Sequence, residues 1–70
     1  MKYLVVIEET PSGYSAYSPD LDGCVATGPT MDEAARHLQE TMKDHIDEMK
    51  RSNAGIPYPH SVSQYVKVSV

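Results

Sequence analysis

Asp20, Asp22, Cys24 and the histidines His37, His45 and His60 are the side chains of this sequence with the types and spacing to do chemistry. Asp20 and Asp22 stand two apart in Pro19-Asp20-Leu21-Asp22-Gly23-Cys24. With Glu8 or Glu9 they could hold a divalent metal that activates water, the basis of a weak metal-dependent hydrolase. An aspartate after a proline also bonds the backbone of its own turn, and no histidine or third carboxylate lies close in sequence, so turn geometry is the stronger reading. Cys24 could attack a substrate with a histidine as base, but a reactive thiolate needs an electropositive setting or a helix N-terminus, and neither adjoins it. It reads instead as a small buried apolar residue. Glu33, His37 and Glu40 have ligand-like helical spacing, which an exposed, charge-dense helix also produces by chance. No phosphate-cradling glycine pattern occurs. The sequence therefore offers no catalytic residue, metal site or cofactor site.

These residues lie between elements that announce themselves by pattern. Lys2 to Glu9 is β-branched and aromatic and ends at Thr10-Pro11-Ser12-Gly13, a turn leading into a second strand over Tyr14 to Ser18. Pro19 lacks a ladder amide and stops that strand. Asp20 to Gly23 then turns the chain into a third strand over Cys24 to Gly28. Thr30-Met31-Asp32-Glu33 matches a capping box, after which Met31, Ala34, Ala35, Leu38, Met42, His45, Ile46 and Met49 recur at spacings of three and four. The spacing predicts an amphipathic helix over 31–52. Ile56-Pro57-Tyr58-Pro59 must be extended, and Gln64 to Val70 alternates, which predicts a fourth strand.

The expected architecture is α+β in the order β-β-β-α-β, a single domain over 1–70. Its four-stranded mixed sheet has the order 3-2-1-4, with strand four parallel to strand one and one long helix on one face. Tyr3, Val5 and Ile7 would face that helix, leaving Leu4 and Val6 on the opposite side. A second apolar face needs a cover, so the protein is expected to form a homo-oligomer, dimer or tetramer, through Leu4 and Val6.

Ten acidic against six basic residues give a formal charge of -4, which opposes direct nucleic-acid binding, since that affinity rests on Lys and Arg replacing counterions. The same charge would steer a basic protein partner. No apolar run approaches the ~20 residues needed to cross a bilayer. A single cysteine allows no internal disulfide, in keeping with a reducing, cytoplasmic setting.

Gly13-Tyr14-Ser15-Ala16-Tyr17, then Pro19-Asp20-Leu21-Asp22-Gly23-Cys24, Gly28, Thr30, Glu33-Ala34 and Ile56-Pro57-Tyr58-Pro59 follow one another in an order that resembles the HicB-like antitoxins across nearly the whole chain. The resemblance implies a partial, catalytically silent ribonuclease H-like fold. It also implies a small basic HicA-type toxin, a messenger-RNA-cleaving enzyme, as the partner that this chain would neutralise by contact. Ribonuclease H chemistry would need carboxylates starting from the middle of strand one, where Tyr3-Leu4-Val5-Val6-Ile7 stands. The C-terminal DNA-binding domain of longer members is expected to be absent. A stand-alone binding domain without a toxin is the alternative.

Overall fold

The computed structural model describes all 70 residues. Three strands, β1 (Val6–Thr10), β2 (Gly13–Tyr17) and β3 (Val25–Gly28), are followed by the helix α1 (Met31–Arg51). The strands form an antiparallel meander in the order β1-β2-β3, with Ile7 opposite Ala16 and Ala16 opposite Ala26. Alternation along each strand places these three residues on the helix side, and Ala16 is completely buried there. Small residues in the middle of the sheet let the helix approach closely.

The helix answers with a stripe. Ala34, Leu38 and Met42 are buried, while Ile46 and Met49 continue the line half-buried. With Ala16, Leu21 and Cys24 the buried helix residues make a core of six, on whose margin Tyr3, Val5, Ile7, Tyr14 and Ala26 pack. Strand one begins later than expected, at Val6 instead of Lys2, yet Tyr3, Val5 and Ile7 still lie on the core while Leu4 and Val6 do not.

Thr30 caps the helix, its hydroxyl accepting from the Glu33 amide at 3.1 Å. Only this half of the expected capping box forms, because the Glu33 carboxylate makes no return bond to the Thr30 amide. Asp32 and Glu33 in the first turn and Lys50 and Arg51 in the last complement the helix dipole. Asn53, at a φ of 58°, ends the helix in the left-handed conformation, and the Ala54 amide donates to the Met49 carbonyl. Replacing the cap, Thr30→Ala, is expected to cost about 1 kcal/mol. A lower urea midpoint at an unchanged slope would be its signature.

The fourth strand and the mixed 3-2-1-4 sheet require correction. Gln64–Val70 has no ladder partner in the chain, and Val66, Val68 and Val70 are 73%, 70% and 121% exposed. After α1 the chain passes Tyr3, whose hydroxyl donates to the Pro57 carbonyl, and reaches Asp20, beyond which residues 62–70 are all exposed. The molecule accordingly measures 49 × 26 × 16 Å. Alternation in the sequence records that one side of this segment suits burial; it does not supply the partner. No helix is long and apolar enough to cross a membrane.

Candidate interaction surface

The Pro19–Cys24 segment is built as a corner. Pro19 is exposed, Leu21 and Cys24 drop into the core, and Gly23 takes a φ of 84° that suits a residue without Cβ. Burial pushes the Cys24 thiol up from its ordinary value, which disfavours the thiolate a nucleophile requires. Ser18 lends its carbonyl to the Leu21 amide, while its own buried hydroxyl has no partner.

Asp20 does something other than the turn chemistry expected of it. Its side chain is fully shielded from solvent, and its carboxylate accepts three hydrogen bonds from the far end of the chain. The backbone amides of His60 and Ser61 donate to Oδ2 at 3.0 and 2.9 Å, and the Ser61 hydroxyl donates to Oδ1 at 2.6 Å. The Ser61 hydroxyl is the main reason the Asp20 carboxyl lies below its ordinary pKa, helped by both amides and the nearby His60 ring and opposed by desolvation. Asp20 is therefore a clamp across 40 residues of sequence rather than an aspartate bonded to its own turn. Asp22, two residues on, is exposed, and no group of three His, Cys, Asp or Glu side chains is placed to hold a metal ion.

The remaining motif residues join the sheet to the helix. A Cβ on Gly28 would lie 2.6 Å from the Ala34 amide nitrogen, so only glycine lets the end of β3 meet the first turn of α1. Ala34 is buried at that contact, next to the turn that Thr30 and the Glu33 amide close. His37 adds a tie at the surface: its Nδ1 donates to the Thr27 carbonyl at 2.8 Å, which links α1 to β3.

Two surfaces are left without cover. The first is the sheet face turned away from the helix. Leu4 and Val6 are half-buried there, and the register sets Val6 opposite Tyr17 and Tyr17 opposite Val25. Tyr17 and Val25 are 38% and 64% exposed, so an apolar row crosses all three strands. Reading strands singly found Leu4 and Val6 but missed Tyr17 and Val25, which only the cross-strand register aligns. The second is a groove beside the N-terminal end of β1, lined by Met1, Tyr3, Val5, Met42, Ile46 and Ile56.

Known proteins place this arrangement. A family model described as the HicB_like antitoxin of bacterial toxin-antitoxin system matches residues 3–69. An uncharacterized 14.9 kDa protein from the rep-hol intergenic region of Haemophilus phage HP1 is 32% identical over 66 residues, 94% of this chain and 50% of the phage protein. The chain thus spans about half the length of that relative. A UPF0150 protein of Thermoplasma acidophilum is 36% identical over 58 residues, 81% of this chain and 84% of its own. Among solved structures, a chain of the HicA3 and HicB3 toxin-antitoxin complex superposes with a TM-score of 0.70 at 28% identity, covering 84% of this chain and 70% of that one.

Proposed function

The chain belongs to the HicB-like antitoxin family, and from that premise we propose that it neutralises a small basic HicA-type ribonuclease toxin by binding it. The family is a non-catalytic class, and the chain is not an enzyme. The observation that carries the reading is the likeness to a chain of a toxin-antitoxin complex over most of the residues. Charge supports it: Glu8, Glu9, Asp22, Asp32, Glu40 and Asp44 are exposed on a chain of net charge -4, which favours encounter with a cationic protein. The meander-then-helix order is the part of a ribonuclease H-like fold that this reading ascribes to the chain. Its place of action is the cytoplasm, where messenger RNA is cleaved.

The same reading makes the protein a homo-oligomer, dimer or tetramer, using the apolar row that includes Leu4 and Val6. Its partners are then a second copy of itself and the toxin, with no direct contact to nucleic acid. Co-expression with a basic protein encoded beside it is expected to restore growth that the partner alone arrests, and the two chains should elute together from a sizing column. Toxicity untouched by this chain would overturn the antitoxin reading in favour of a binding domain without toxin.

A further inference from the structure

We infer that residues 62–70 are a donor strand exchanged between two copies of the chain, each tail adding to the outer edge of β1 of the other copy and covering the groove beside it. The inference rests on the self-association proposed above and gives it a second contact, at the edge of β1 rather than on the sheet face of Leu4 and Val6. Its first support is the tail's own pattern. Val62, Val66, Val68 and Val70 share one side of an extended segment, interrupted there by Gln64, with Ser63, Tyr65, Lys67 and Ser69 on the other. Such a period of two fits a strand with one buried face, yet Val62 is 91% exposed and the three later valines are nearly as open or more so. The element is patterned for a surface that its own chain does not provide.

The acceptor lies in the same fold. β1 is an edge strand, paired with β2 on one side only, so its outer amides and carbonyls can take another strand. A groove with Tyr3, Val5, Met42 and Ile46 in its lining, together with Gln39, Asp47 and three lysines, lies beside that edge, on the helix side of the sheet. A strand added there would set its valines on the groove and its serines, Tyr65 and Lys67 on the opposite face. Nine residues at about 3.3 Å each reach roughly 30 Å, more than the five residues of β1 need, so the tail could run on past them beside the groove.

The hinge explains why the donor serves a second copy. Pro57 and Pro59 keep the approach extended, since each excludes the helical region for the residue before it. Asp20 then fixes His60 and Ser61. The tail's direction beyond Ser61 is thereby set by the body of its own chain, and it points off the body instead of along its own β1. Reciprocal exchange of an identical element closes a twofold dimer and satisfies both edges at once.

Two measurements decide it. In protein refolded from equal parts of isotope-labelled and unlabelled chain, isotope-filtered NOEs are expected between the tail valine methyls of one copy and Tyr3 or Ile46 of the other. Light scattering should give a dimer or a multiple of it for the full chain and half that mass or less for a chain truncated after Ser61. Contacts confined to one label would mean a tail closed on its own β1, and no contacts would mean a free tail; either overturns the exchange. So does an unchanged mass on truncation, and if Val6→Asp then disperses that assembly, the sheet face holds it instead. Growth rescue by the full chain is read separately, so an unexchanged tail with intact rescue would remove this inference and leave the antitoxin reading standing.

Discussion

Leu21→Ala is expected to remove about 2–5 kcal/mol of stability, the cost of truncating a buried leucine and leaving a cavity behind. Leu21 has no exposed surface, and with Leu38 it is one of the two largest fully buried side chains in a core of only six residues. A chain of 70 residues at roughly 0.05–0.15 kcal/mol each holds on the order of 4–10 kcal/mol in total, so the loss is a large share of the whole. Few neighbours stand ready to collapse into the gap, because Ala16 and Ala34 are already small and backbone-fixed. Urea unfolding of Leu21→Ala and Leu38→Ala should show comparable losses, whereas exposed Asp22→Ala should stay within about 0.5 kcal/mol. Equal, small effects at Leu21 and Asp22 would mean that Pro19–Cys24 serves recognition rather than packing.

That contrast bears on how much of the molecule was legible in the sequence. The helix was, nearly to the residue, because its cap, its stripe and its terminal charges are local and agree with one another. The meander was legible from its turn residues, which act on the backbone where they stand. The fourth strand was not, for a reason that distinguishes it from the others: strands one to three are tied to neighbours by short turns, whereas Gln64–Val70 arrives by a long connection and its pattern specifies only a burial need. Leu4 and Val6 were readable as residues turned away from the helix, but Tyr17 and Val25 joined Val6 in a row only through the register.

Asp20 shows the limit most clearly. A turn aspartate and a clamp aspartate are identical in one dimension, since either can follow a proline in a segment that turns at a glycine. What separates them is burial: a shielded carboxylate must gather donors, and the donors here come from residues 60 and 61. The sequence carried one faint sign, two prolines delivering an extended His60-Ser61 pair whose amides had no helix or ladder to serve.

Because that clamp sets where the tail leaves the body, Asp20→Ala is expected to abolish the hydrogen-exchange protection of the His60 and Ser61 amides while the 27 backbone bonds within helix and strands persist. Acid should reproduce the effect in the unaltered chain, and the sign follows from the direction of the shift. The folded carboxyl titrates below its ordinary value of 3.8, chiefly through the Ser61 hydroxyl bond, so its contribution is fully present above that value. It is lost as the pH falls through the lower folded value, when a proton occupies an oxygen that had been accepting. Asp20→Asn should fall between the two, keeping one acceptor oxygen but turning an amide group toward donors. Following the two amides against pH in all three chains checks this. Protection that survives Asp20→Ala would mean that Tyr3 and the prolines hold the tail unaided, and that the direction of residues 62–70 is set before the chain reaches Asp20.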